Sequence, residues 1–176
     1  MVMEENKLTG NALAFIALCN EYCGEVENAP LDEKAPFVEK MTRLLPRIYI
    51  SALDLKVDNE VADGPFLEGV LEEDYYDAIR RRLETLFGAD DTYLEVFEED
   101  MKYSDTPIAA YISENLADIF QVLYNFIEMV KDSPTPMINA AIMAVKEDFS
   151  IYWSQILCNV MRALNNLLSP DFESDY

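Results

Sequence analysis

A chain of 176 residues with 34 acidic and 13 basic side chains carries a formal net charge of -21 and contains no histidine. The length fits one domain, and an apolar content of 51% is typical of a globular protein rather than a disordered chain. The charge disfavours direct binding to nucleic acids and anionic membranes, because both are bound through lysine and arginine. Without histidine, the chain cannot form a histidine-based catalytic triad, a histidine-ligated zinc or haem site, or a di-iron site of the Glu-x-x-His type.

Apolar residues at helical spacing predict the first three helices. The first runs from near Thr9 to Val26. The second follows an N-cap at Asp32, and Pro46 inside its apolar stripe predicts a kink or a break one turn earlier. The third covers about residues 72–87 and stops at the following glycine.

The segments on either side of the third helix are less regular. Residues 56–70 hold several turn-forming residues and read as a loop; these residues are Asp58, Asn59, Asp63, Gly64, Pro65 and Gly69. Residues 89–105 form an acidic connector, in which Tyr93, Glu95 and Phe97 alternate with other residues. This alternation fits a short extended piece, but a helical turn fits the connector equally well.

The strongest helix signals come later in the chain. We expect Asp105 or Thr106 to cap a fourth helix, with Pro107 at its first position and an apolar stripe that continues to Val130. After a proline-rich break, a fifth helix extends to about Leu168.

Together these elements predict an all-α fold. We expect a single-domain helical bundle of about five main helices over residues 1–170, with a long C-terminal helix. Residues 171–176 are expected to form an acidic, disordered tail.

The N-terminal sequence and the cysteines indicate a cytoplasmic protein. Glu4 and Glu5 lie where a secretory signal has a positive segment, and no apolar run is long enough to span a bilayer. Because the number of cysteines is odd, we interpret Cys19, Cys23 and Cys158 as small buried apolar residues; a redox pair of the first two is the weaker alternative.

The acidic side chains are concentrated in the middle of the chain. Residues 54–105 hold seventeen acids and five basic residues, and three of those five form the run Arg80 to Arg82, which we interpret as an ion-paired helix face. Such a region steers a basic partner protein toward the chain. We therefore interpret the protein as a non-enzymatic interaction module. The candidate contact residues are Asp90, Asp91, Glu95, Glu98, Glu99 and Asp100.

Carboxylate chemistry remains as an alternative. Glu114 and Asp118 lie four residues apart and share a helix face, and Glu147 and Asp148 lie on the next helix. If these faces meet, they can hold Mg²⁺ or Mn²⁺, as in a metal-dependent hydrolase that acts on nucleotides. The leading interpretation needs no cofactor and no catalytic residue.

Several segments resemble a bacterial family, the domain of unknown function numbered 5063, which is frequent in Bacteroides-like bacteria. The resemblance covers most of the chain and implies a helical cytoplasmic protein, but it supplies no activity, cofactor or catalytic residue. In the family a glycine often follows the tryptophan, and Ser154 takes that place here. The segments that carry the resemblance are Asp90 to Tyr93, Tyr103 to Pro107, Glu114 to Gln121, and Trp153 with Met161 to Leu164.

Overall fold

Helices that pack around one hydrophobic core make up most of the chain, and a two-stranded sheet is attached to them. In the computed structural model, residues 8–56, 64–95 and 99–168 are described, except for the side chains of residues 100 and 101. The helices are α1 (Gly10–Glu27), α2 (Lys34–Asp54), α3 (Glu73–Phe87), α4 (Ile112–Val130), α5 (Thr135–Asp148) and α6 (Ser154–Leu168). The strands are β1 (Thr92–Glu95) and β2 (Ile108–Tyr111).

The predicted all-α, single-domain bundle is confirmed. The long C-terminal helix consists of α5 and α6, which are joined by the π-helical turn Phe149–Trp153. Within the described ranges, no helix has the length and apolarity needed to cross a membrane. The predicted tail, residues 171–176, lies outside the described residues.

Local sequence features determine two of the helix ends in the first half of the chain, and a third differs from its prediction. Thr9 caps α1, and its hydroxyl oxygen accepts the N–H of Ala12 at 3.1 Å. Gly88 ends α3 with a φ of 55°, a backbone conformation that favours glycine. The predicted N-cap at Asp32 is wrong by one residue, because α2 begins after Glu33, which makes no side-chain capping bond.

The sequence predicted a kink or a break in α2 one turn before Pro46, and no break occurs. The helix is continuous from Lys34 to Asp54. Met41, Leu45 and Ile48 are fully buried on both sides of the proline. This burial against α1 and α6 holds the helix together despite the missing backbone donor.

Aromatic side chains fill the centre of the core. The ring of Phe15 on α1 lies 5.3 Å from that of Phe126 on α4, and the ring of Phe149 lies 4.6 Å from Trp153. Trp153 is fully buried, and its indole N–H donates to the carbonyl oxygen of Val145 at 3.1 Å. The tryptophan is therefore a packing residue whose single polar group is satisfied.

The start of the fourth helix differs from the prediction. Asp105, Thr106 and Pro107 do not cap it; residues 108–111 form β2, which pairs antiparallel with β1 so that Leu94 lies opposite Ala109. Ile108 precedes the buried Ile112 by four residues, and this helical spacing suggested a longer helix. Strand pairing with a distant segment overrides that local pattern.

A buried amide fixes the segment before α3. The side-chain oxygen of Asn125 on α4 accepts the N–H groups of Val70 at 3.0 Å and Leu71 at 2.9 Å. The N–H of Phe66 donates to the carbonyl oxygen of Ala140 on α5 at 3.2 Å. Residues 64–72 are thus tied to the bundle without regular secondary structure; residues 57–63 of the predicted loop lie outside the described part.

We expect Asn125→Ala to lower the free energy of unfolding by about 1–3 kcal/mol, because two backbone N–H groups lose their acceptor. Urea denaturation measures this change. Gln121→Ala is the matched control, since Gln121 is exposed on the same helix and should change stability little. Equal losses in both variants would contradict this role of Asn125.

Candidate interaction site

The N-terminus of α4 is capped by a residue from another part of the chain. Tyr111 precedes the helix and makes no side-chain capping bond. Instead, the carboxylate of Asp91 accepts the backbone N–H and the hydroxyl of Ser113, both at 2.7 Å. Negative charge at this position stabilises the helix through its unpaired N–H groups. Asp91 is only 5% exposed, so it does not contribute to an exposed acidic surface as the sequence suggested.

Hydrogen bonds then connect β1 with α4 and α6. The hydroxyl of Tyr93 donates to the side-chain oxygen of Asn115 at 2.6 Å and lies 3.4 Å from Glu95. Glu95 also accepts the side-chain amide of Asn159 on α6 at 3.3 Å. These contacts hold β1 in a fixed position beside α6.

A groove of about 490 Å³ lies between β1 and α6. Its strand wall consists of the last three residues of β1, and its helix wall includes two asparagines and one arginine. Sequence reasoning did not identify it, although polar residues recur on α6 at the spacing of one helix face. The lining residues are Tyr93, Leu94, Glu95, Cys158, Asn159, Arg162, Ala163 and Asn166.

The three cysteines do not share one environment. Cys19 and Cys23 are buried as predicted, and burial is the main reason that the pKa of each thiol is raised. A raised pKa keeps the thiols protonated and does not support a redox pair. Cys158 is exposed at the groove, so its predicted burial is wrong.

The predicted contact acids that the structure describes differ in their surroundings. Asp90 forms an ion pair with Lys34, and Glu99 lies 3.7 Å from the ammonium group of Lys102. Glu98 and the side chain of Asp100 lie outside the described residues.

A second group of acids is more exposed. Glu68, Glu72, Glu73 and Asp74, which we call the acidic edge, form no ion pair with any described residue. They lie on the segment that Asn125 fixes and on the first turn of α3. The exposed apolar side chains of Phe66 and Val70 belong to the same segment.

The acids of the metal alternative remain in two pairs. In the pair on α4, Asp118 accepts a hydrogen bond from the hydroxyl of Tyr76 on α3 at 2.6 Å. Burial raises the pKa of Asp118, the hydrogen bond from Tyr76 lowers it, and the negative charge of Glu114 raises it further. On α5, burial and then Glu147 raise the pKa of Asp148. Over the described ranges, no group of three or more Cys, Asp or Glu side chains is placed to hold a metal ion.

Comparisons with known proteins agree with this fold. A family model with the description "Domain of unknown function (DUF5063)" matches residues 6–169. The structure is similar to the crystal structure of protein BF1032 from Bacteroides fragilis, with a TM-score of 0.78 and 27% sequence identity, covering 93% of this chain and 96% of that chain. No curated protein matches.

Removing the distant cap should destabilise the fold. We expect Asp91→Ala to lower the free energy of unfolding by about 2–3 kcal/mol, since a buried, charged acceptor of two hydrogen bonds is lost. Asp91→Asn keeps a hydrogen-bond acceptor and should therefore lower the free energy of unfolding by less than Asp91→Ala does. Asp90→Ala is the neighbouring control and should have little effect, because it removes only an exposed ion pair. Urea denaturation of the three variants tests this order.

The raised pKa of Asp118 predicts a pH dependence of stability. The folded state holds the Asp118 proton more tightly than the unfolded state, so this contribution is full below the ordinary aspartate pKa and is lost as pH rises through the folded pKa. We expect Asp118→Asn to reduce the fall in stability just above that ordinary pKa. Unfolding measured from acid to neutral pH tests this, with Asp105→Asn as an exposed control. An unchanged pH profile in Asp118→Asn would contradict the prediction.

Proposed function

Because the chain belongs to the DUF5063 family, whose description assigns no activity, we propose a function from its own surface: a non-enzymatic, cytoplasmic module that binds a basic partner protein. The supporting observation is the exposure of the acidic edge. The four carboxylates of this edge are close together in sequence and have no described cation beside them. They therefore contribute uncompensated negative charge at one part of the surface.

Other acids in the middle of the chain have structural roles. Asp91 caps α4, and Asp77 and Glu84 lie beside Arg80 on α3. The acidic edge also stabilises the start of α3, but a helix N-terminus needs only one or two acids for that effect. The remaining charge is available to a partner.

The same segment offers apolar contact area. Phe66 is 51% exposed and Val70 is 38% exposed, and backbone hydrogen bonds to α4 and α5 hold both residues in place. A fixed surface loses less conformational entropy when a partner binds. Charge would then raise the rate of encounter, and the two apolar side chains would slow dissociation.

The basic residues do not favour a nucleic acid as the partner. Arg80 and Arg81 lie beside Asp77, as expected for an ion-paired helix face. The guanidinium of Arg82 donates to the carbonyl oxygen of Ala29 at 2.8 Å. The arginine run thus has partners within the protein, and the net charge of -21 repels phosphate.

The metal-dependent hydrolase is supported less well. Over the described residues its four acids do not form one group that could hold a metal ion, and one of them, Asp118, already accepts a hydrogen bond from the hydroxyl of Tyr76. We therefore keep the interaction module as the proposed function.

Capture from a native lysate with a pair of matched variants tests the proposal. The edge variant is E68Q/E72Q/E73Q/D74N, and the control variant is E21Q/D32N/E39Q/E147Q, which removes four exposed acids elsewhere and has the same net charge. We expect wild type and control to retain one basic protein at low salt and to release it at high salt. The edge variant should bind it at least about tenfold more weakly, since exposed ion pairs contribute about 0.2–1 kcal/mol each. Equal binding by both variants, or no salt-sensitive partner of the wild type, would count against the proposal.

A further inference from the structure

The geometry points to a binding site for one arginine side chain, formed by the ring of Tyr75 and the carboxylate of Glu27. This inference rests on the proposed function, because the arginine belongs to the basic partner. It deepens that function by naming the chemical group that the partner presents. The site lies next to the acidic edge, since Tyr75 directly follows Asp74 in the first turn of α3.

Three aromatic rings from α3 and α4 lie in mutual contact beside the acidic edge. The ring centroid of Tyr75 lies 6.0 Å from that of Phe120 and 5.7 Å from that of Tyr124, and the last two lie 5.4 Å apart. The plane of Tyr75 makes angles of 85° and 76° with the planes of the two rings on α4. We call the three rings the aromatic corner. Their contacts hold the ring of Tyr75 against α4.

The rings of the aromatic corner differ in exposure. Phe120 is fully buried, Tyr124 is half-buried, and Tyr75 is 36% exposed. Phe120 therefore anchors the aromatic corner in the core, while Tyr75 remains accessible to a ligand. An aromatic ring attracts a cation electrostatically, because the face of its π-system is negative. The aromatic corner thus favours a positively charged ligand even before the acids around it are considered.

A carboxylate lies near the hydroxyl of Tyr75. Burial and then the carboxylate of Glu27 raise the pKa of Tyr75 to about 12. Glu27 is the last residue of α1, and within the described ranges it forms no ion pair, since Lys40 of the next helix pairs with Glu25 instead. Glu27 is therefore available to a cation that lies on the ring of Tyr75.

Two basic residues of the surrounding helices do not cancel this charge. Lys131 pairs with Glu128 at 3.0 Å, and these two charges offset each other. The guanidinium of Arg82 donates to a backbone carbonyl oxygen, and Arg82 lies seven residues, about 10.5 Å, further along α3 than Tyr75. Even with the charge of Arg82 included, Glu27 and the four acids of the acidic edge leave a net negative charge around Tyr75.

An arginine side chain fits this combination better than other cations do. Its guanidinium is planar, so it can stack on an aromatic ring and donate to a carboxylate at the same time. The ammonium group of lysine is compact and more strongly hydrated, and a trimethylammonium group has no N–H to donate to Glu27. The expected ligand is an arginine of the partner that stacks on Tyr75 and donates to Glu27.

The experiment uses isotope-labelled full-length protein and two hexapeptides with blocked ends, in which arginine or lysine alternates with glycine. The two peptides have the same charge and differ in the planar group. NMR titration of wild type should show ring shifts at Tyr75 and Tyr124 but not at Tyr103, which is 90% exposed elsewhere in the chain. The arginine peptide should bind about two- to fivefold more tightly than the lysine peptide, because stacking adds to the attraction between charges.

Three variants without a change in net charge test the role of the ring. Tyr75→Leu removes the ring and should abolish the preference for the arginine peptide, whereas Tyr103→Leu should keep it. Tyr75→Phe retains the ring and should keep the preference, and this variant remains informative if Tyr75→Leu does not fold. A preference that survives in Tyr75→Leu, or is lost in Tyr75→Phe, would overturn the inference.

A second pair of variants tests the carboxylate. Glu27→Gln should weaken binding of the arginine peptide about two- to fivefold, as expected for the loss of one exposed ion pair. Glu147→Gln removes an exposed acid on α5, makes the same change in net charge and should weaken binding less. Equal losses in the two variants would mean that the peptide responds only to the general acidity of the chain.

The outcomes distinguish the arginine site from the proposed function. If the two peptides bind wild type equally and shift only residues 68–74, the arginine site fails while the proposed function stands. If neither peptide binds at low salt, both fail. Shifts at Tyr75 that grow with protein concentration in the absence of peptide would indicate a second copy of the chain as occupant and overturn the inference.

Discussion

The carboxylate of Asp91 at the start of α4 is the interaction on which the neighbouring structure depends. The helix follows β2 without a local cap, so its first N–H groups need an acceptor from elsewhere. Asp91 supplies it, and the next residue of the chain begins β1. The same contact therefore positions the sheet, the hydrogen bond from Tyr93 to Asn115, and the strand wall of the groove. An isolated, exposed acid could not position these elements, because its side chain would not be held in one orientation by hydrogen-bond partners as that of a buried carboxylate is.

The acidity of the chain has several separate origins. Some acids complete hydrogen bonds of the fold, as Asp91 and Asp118 do, and some neutralise nearby cations, as Asp90 does with Lys34. The acidic edge belongs to neither group. A net charge alone therefore does not indicate function. The acids that have hydrogen-bond or ion-pair partners must first be distinguished from the exposed acids, and this requires a three-dimensional structure.

Local patterns predicted the parts of the fold that local forces determine. The start of the first helix near Thr9 and the end of the third at Gly88 follow from apolar periodicity and glycine conformation. The alternation of Tyr93 and Glu95 allowed a short extended piece, which the structure has as β1, but its pairing with residues 108–111 was missed because that pairing is a long-range event. The groove was missed for the same reason: Asn159 and Asn166 are visible on one face of α6, but nothing local shows that β1 lies opposite them. Of the segments that carried the family resemblance, Asp90 to Tyr93 contacts the start of α4, and Tyr93 lines the groove together with Arg162 and Ala163.

The π-helical turn between α5 and α6 has a geometric consequence for the groove. Val145 and Leu157 are both core positions, and the helix makes three turns over the twelve residues from one to the other. Three turns of a regular α-helix take only about 11 residues. The N–H of Ser154 reaches back five residues to Phe149 and absorbs the surplus residue. The turn therefore sets the rotational phase of α6. A deletion of one residue here would rotate everything that follows by roughly 100° about the helix axis. The direction in which the asparagine face of α6 points is thus fixed by the number of residues in this turn as well as by their chemistry.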